Sequence, residues 1–218
     1  RGARVPPGFL QYQREDDEPA RVHGDAVAAE TRVNPDGTLD ISRWARPQHD
    51  GPPLRALALL RWAAGGHLDA ALLAQVSALI RFDIDFTLRH WREPSYDIWE
   101  EESGHHYYTL RVSAAALAEA AVWLQGLGDT GLAQRCRDES GAVLGLLDGY
   151  WMDEGAGDRD EAHGYFRSRV LADGQPSAKL LDIAVILSAI HSGGTDAAHG
   201  PADPRMQATL ARLDALFD

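Results

Sequence analysis

Apolar residues recur at steps of three and four between Asp69 and Trp91, at Leu72, Val76, Ile80, Ile84, Leu88 and Trp91. That period predicts one long amphipathic helix. A shorter stripe precedes it. Pro52-Pro53 suits a first helical turn, Leu54, Leu57, Ala58 and Leu60 to Trp62 follow, and Gly65-Gly66 ends the pattern. Further along, Ser113 is expected to cap a helix carrying Leu117, Ala121 and Leu124, ended by Gly126 and Gly128. Asp129 is expected to cap the next, with Leu132, Cys136, Val143, Leu147 and Trp151, weakened in the middle by Gly141. Lys179 to His191 reads as helix through Leu180, Ile183, Ala184 and Leu187. Asp203-Pro204 opens a last one with Met206, Leu210, Leu213 and Phe217.

The remaining segments are irregular. Tyr165 to Val170 reads as a short strand or extended loop within an acidic, Gly-rich stretch. Residues 1–50 show little periodicity. Asn34-Pro35-Asp36-Gly37 is expected to turn the chain there, and Thr38-Leu39-Asp40-Ile41 to form a short extended piece. The chain therefore divides into a long loop region, 1–50, and a helical region, 51–218. Long helices in pairs separated by irregular loops predict an all-α toroid or bundle.

One stretch breaks the helical pattern. Tyr96-Asp97-Ile98-Trp99-Glu100-Glu101-Glu102 places four carboxylates beside a Tyr and a Trp, and neither Lys nor Arg falls between Glu93 and Arg111. A carboxylate against an indole or beside a like charge has a raised pKa, so one of these acids is expected to hold a proton near neutrality. Sugar rings stack on aromatic faces and donate to carboxylates, which suits a carbohydrate ligand. On residue types alone, a solvated acidic loop is the commoner explanation of such a run.

Charge narrows the partners. Lys and Arg total 21 against 33 Asp and Glu, a formal −12, which argues against nucleic acid and anionic membrane surfaces. No apolar run of about 18 residues exists for a membrane span. The single cysteine, Cys136, allows no internal disulfide framework. With no signal-type apolar core at its start, the chain reads as cytoplasmic. Lacking an initiator Met, it reads also as processed, trimmed or excerpted from something longer.

Two blocks in order resemble glycoside hydrolase family 15, the glucoamylase family. The first is Trp44-Ala45-Arg46-Pro47-Gln48-His49-Asp50-Gly51-Pro52-Pro53-Leu54-Arg55-Ala56; the second is Tyr96-Asp97-Ile98-Trp99-Glu100-Glu101. A weaker third, Ala178-Lys179-Leu180-Leu181-Asp182 to Ile190-His191, resembles a later helix of that family. The resemblance implies an (α/α)6 toroid of which this chain holds only part, 51–218 lying in the catalytic domain and 1–50 leading into it. It implies Glu100 as the acid that protonates the glycosidic oxygen. It implies Trp99 and Glu101 as subsite residues, Asp97 as a carboxylate shaping the field, and Trp44 as an indole closing over the pocket. Arg46 and Asp50 act on substrate or tie the loop to the helix behind it.

The implied activity is exo-acting, inverting hydrolysis of short α-glucans or isomaltose-type oligosaccharides with release of glucose. Inversion needs a second carboxylate roughly 6.5–9.5 Å from the acid. Glu100 and Glu101, as neighbours, point different ways and make a poor pair. The base, and the early Arg-Asp clamp of the family, do not occur in this sequence. The missing toroid helices are expected from flanking sequence or another chain. A non-catalytic carbohydrate-binding or regulatory domain is the alternative. An enzyme of the same fold acting on acidic polysaccharides is disfavoured by the −12 charge. His49, His105 and His106 show no carboxylate-His spacing suited to a tetrahedral site, so neither metal nor cofactor is expected. Trp62, Trp91 and Trp151 read as core, Arg167 and Arg169 as surface.

Overall fold

The computed structural model describes residues 24–30, 46–155, 162–194 and 198–216. The turn at 34–37, the extended piece at 38–41, Trp44 and Phe217 lie outside the described residues. The helices are α1 (Asp25–Ala28), α2 (Gly51–Ala64), α3 (Ala70–His90), α4 (Tyr107–Gly126), α5 (Thr130–Asp148), α6 (Ala184–Ser192) and α7 (Pro204–Asp214). Five short strands add two small antiparallel sheets. β1 (Ser95–Tyr96), β2 (Ser103–His106) and β5 (Arg169–Leu171) form one; β3 (Trp151–Asp153) and β4 (Gly164–Phe166) form the other.

Helix α4 is the pillar. Its alanines at 114, 115, 116, 120 and 121 are buried, as are Tyr107, Leu110, Val112, Leu117 and Leu124. Small side chains let neighbours approach from several sides, and α2, α3, α5 and α6 all pack on it. One apolar cluster runs through Leu57, Ile80, Ile84, Leu117, Leu124 and Cys136; another gathers Tyr107, Val143, Leu147, Phe166 and Met206. The long helix predicted from the stripe is α3, started by Asp69, whose side chain accepts from Leu72 N at 2.8 Å. Asp203 likewise starts α7, accepting from Arg205 N.

Four expectations are corrected. Ser113 is no cap: α4 begins at Tyr107, and the Ser113 hydroxyl donates to Thr109 O inside the helix at 2.7 Å. A helix buried on nearly all sides carries no amphipathic period to mark its start. The expected helix from Lys179 starts only at Ala184, because the preceding segment is held extended by Ser168 N donating to Leu180 O. Trp151 leaves α5 for β3. The acidic stretch is the turn of a hairpin, β1 against β2, with Ser95 opposite Gly104. Gly104 is required there: a Cβ would lie 2.5 Å from Val170 O of β5.

Asp83, on α3 and fully buried, accepts two bonds from Arg55 of α2, Nε at 2.9 Å and Nη2 at 2.5 Å. Burial pushes this carboxyl up and Arg55 pulls against that. Truncating Arg55 would strand a buried charge. Arg55→Ala is expected to lower unfolding free energy by about 3 kcal/mol in denaturant titration, and Arg55→Ala/Asp83→Leu to recover part of the loss.

Candidate active site

The first and second sequence blocks meet. Tyr96 N, at the end of β1, donates to Pro47 O at 2.8 Å, which seats the loop before α2 against the acidic hairpin. Asp97 then shapes the turn. Its Oδ1 accepts from the backbone N–H of Glu101 at 2.8 Å and of Glu102 at 3.0 Å, while Glu100 N donates to Asp97 O at 2.9 Å. Glu100 sits at the tip with φ 60, a left-handed backbone that costs a residue with a Cβ on the order of 1–2 kcal/mol. Such strain persists only where surrounding contacts overdetermine it. The Asp97 bonds supply that constraint.

Arg169, read as surface in the sequence, is 1% exposed. Its alternation on β5 turns it inward beneath the hairpin. Nη1 donates to Asp97 Oδ2 at 3.3 Å and Glu102 Oε2 at 3.1 Å, Nη2 to Asp182, and Nε to Ser168 Oγ at 3.1 Å. Glu102 also accepts from Ser177 Oγ at 2.8 Å, and Glu101 pairs with Lys179. The indole N–H of Trp99 is shared between the two oxygens of Asp182, at 3.1 and 3.2 Å. Asp182, from the third block, thereby orients both Arg169 and Trp99. Burial raises the Asp97 pKa, but the N–H groups of Glu102 and Glu101 and the charge of Arg169 outweigh it and hold it below the usual carboxylate value. Asp97 stays ionised.

The acids of this stretch therefore have different tasks. Asp97 and Glu102 are occupied in holding the loop, and Glu101 reaches Lys179 at the surface. Glu100 is half-buried at the tip, beside the exposed indole of Trp99. On the facing loop, Asp50 is buried at the start of α2 and receives Gln48 Nε2 at 3.3 Å. Burial pushes its carboxyl up to about 6, the nearby charge of Asp97 adding to this. Arg46 pairs with Glu30, which tethers the first block's start, and Gln48 N donates to Ala29 O at 3.1 Å. Behind Asp50, Tyr108 Oη lies 2.7 Å from His191 Nδ1. A cavity of about 650 Å³ is bordered by Trp91, His105, Tyr150 and Arg167 and does not reach Glu100. Among the described residues, His49, His90 and Glu93 also bring three ligand atoms within 4.8 Å of one another.

The family model of Glycosyl hydrolases family 15 matches residues 26–217. The chain belongs to that family. A probable glucoamylase of Schizosaccharomyces pombe is 31% identical over 189 residues, covering 84% of this chain and 39% of that protein. A glucoamylase of Blastobotrys adeninivorans is 26% identical, covering 96% and 34%. The solved glucoamylase of Saccharomycopsis fibuligera superposes with a TM-score of 0.68 at 22% identity, over 85% of this chain and 41% of its own. The family 15 chain thus spans 34–41% of these relatives' length, and its helices are part of an (α/α)6 toroid.

The residues that sequence reasoning missed are Arg169 and Ser177. Lys179 and Asp182 stood in the third block, quoted for likeness alone. Nothing in a lone Arg on a short strand marks it as buried; only the surplus of acids in the hairpin, without a local cation, signals that one must arrive from elsewhere.

Replacing Arg169 with Met leaves Asp97 and Asp182 facing each other without their shared cation. Arg169→Met is expected to destabilise the protein by about 3–5 kcal/mol, read as a lowered denaturation midpoint. For Asp50 the raised pKa means the native state binds its proton more tightly than the unfolded chain does. Its contribution is present below about 4 and is lost as pH rises through about 6. Asp50→Asn is therefore expected to stabilise the protein above pH 6, by on the order of 3 kcal/mol at most, and to be neutral below pH 4. Equal effects at both ends of a pH series of unfolding curves would contradict this.

Proposed function

We propose that this family 15 chain is part of an exo-acting, inverting α-glucoside hydrolase that releases glucose from the non-reducing end of short α-glucans or isomaltose-type oligosaccharides. One observation carries the reading: Glu100 is presented, in a strained left-handed backbone, at the tip of a turn built by Asp97 and Arg169. Trp99 stands beside it with its orientation set by Asp182. A carboxyl acting as general acid must be held at one place relative to the scissile oxygen, and a fixed turn does that.

Glu100 donates its proton to the leaving oxygen. The ionised Asp97 beneath it supports the positive charge that grows on the sugar ring. Trp99, with nearly half its surface exposed, offers a face to a sugar. Glu101 at the rim, Arg46 and Asp50 on the neighbouring loop, and Trp44 from the same sequence block complete the substrate contacts in this reading. The base lies outside the residues named here, since the other acids of the hairpin are tied into the turn or to Lys179.

Glu100→Gln keeps the size and removes the proton. It is expected to lower glucose release from maltose and isomaltose by roughly 10²–10⁴-fold while leaving the melting temperature unchanged. Proton NMR of fresh product should show the β-anomer first. Undiminished turnover in Glu100→Gln would refute the acid assignment. Sugar binding without turnover in the unaltered protein would favour a carbohydrate-binding domain instead.

A further inference from the structure

His49, His90 and Glu93 come from two separate parts of the chain and meet behind the candidate active site. His49 lies in the loop ahead of α2, is 6% exposed, and its Nδ1 has no hydrogen-bond partner among the described residues. His90 is the last residue of α3, and Glu93 follows in the turn leading to β1. One ligand atom of each falls within 4.8 Å of the other two. Phe86 covers the group from one side, its ring 5.5 Å from His49 and 4.5 Å from His90.

A buried imidazole nitrogen without a partner is a cost in an interior unless something occupies its lone pair. Both nitrogens of His90 face carboxylates: Nδ1 points to Glu93 Oε2 at 2.9 Å, and Nε2 lies 3.0 Å from Asp25 Oδ2 and 3.0 Å from Arg89 Nη1. An ion bound between His90 and Glu93 would take the place of the proton on Nδ1. A carboxylate on the far nitrogen fixes the tautomer and raises ligand basicity. Asp25 is in turn held by Arg89, which also pairs with Asp85.

We propose that His49, His90 and Glu93 form a site for a divalent transition-metal ion of the zinc class, with Asp25 as the outer carboxylate that orients His90. Two imidazoles and one carboxylate suit Zn²⁺, Co²⁺ or Ni²⁺ and do not suit Mg²⁺ or Ca²⁺, which take oxygen ligands. Ligand nitrogens in a tetrahedral zinc site stand ~3.3 Å apart, from bonds of about 2.0–2.1 Å. The three ligand atoms lie within 4.8 Å of one another, and Glu93, whose side chain is 55% exposed, is the ligand with the most room to move. Three protein ligands leave one position for water. The ion would clip the loop bearing Gln48 and Asp50 to the end of α3, directly before the hairpin that carries Glu100. Sequence spacing hid the site because His90 and Glu93 straddle a helix end and His49 comes from another element.

The test strips the purified protein with chelator and titrates ZnCl2 or CoCl2, reading bound metal by elemental analysis after gel filtration and stability by thermal unfolding. One equivalent is expected, with a rise in Tm of roughly 5–10 °C at a hundredfold excess over Kd. His90→Gln and the exposed Glu93→Gln should each weaken binding at least tenfold, Asp25→Asn about 10–100-fold, and His67→Ala not at all. Less than a tenth of an equivalent with unchanged Tm, or equal binding by Glu93→Gln and the unaltered protein, would overturn the proposal. The three residues would then be a proton-bridged cluster around His90.

Discussion

A single buried guanidinium organises this part of the toroid. Arg169 meets Asp97, Glu102 and Asp182 at once, and these come from the two arms of the acidic hairpin turn and from the start of α6. Without a cation in their midst, three carboxylates brought this close would repel, and burial would make each hard to ionise. With it, the turn closes into one geometry. Everything the loop presents outward, Glu100 and Trp99 above all, inherits its position from that inward contact.

The same constraint explains why an acid-rich loop can be ordered. The planar fork of Arg serves several oxygens at fixed angles, which a lysine ammonium would not do as well. Backbone N–H groups of Glu101 and Glu102 complete the coordination of Asp97. The hairpin is further tied from behind: to the loop before α2 through Tyr96 and Pro47, and to β5 through a contact so close that only Gly104 fits. If a metal ion joins His49 to His90 and Glu93, it adds a third tie on the same side. A loop holds its outward residues in fixed places when it is tied from behind, and most of the supports of this hairpin lie on its inward face.

The all-α class, the amphipathic α3 and the opening of α7 at Asp203-Pro204 were legible in the chain because they rest on local rules: a period and a proline in a first turn. The likeness of two blocks to family 15 was legible as well, and the match over residues 26–217 bears it out. The acidic hairpin was visible as chemistry but not as structure. Ser95, Gly104 and the adjacent histidines carry no alternation that would mark two strands. The start of α4 was missed for the opposite reason, its burial on nearly every side removing the polar face that periodicity relies on.

Sequence alone determined the helical scaffold and which stretch carries acids beside aromatics, since both depend on neighbours within a few residues. Tertiary structure decided which of those acids are engaged inward and which one is raised at the tip of the turn. That division depends on Arg169, Lys179 and Asp182 arriving from far along the chain. Long-range charge pairing leaves no periodic mark in a sequence, because its energy comes from distance in space and from exclusion of water, both set only when the chain has folded.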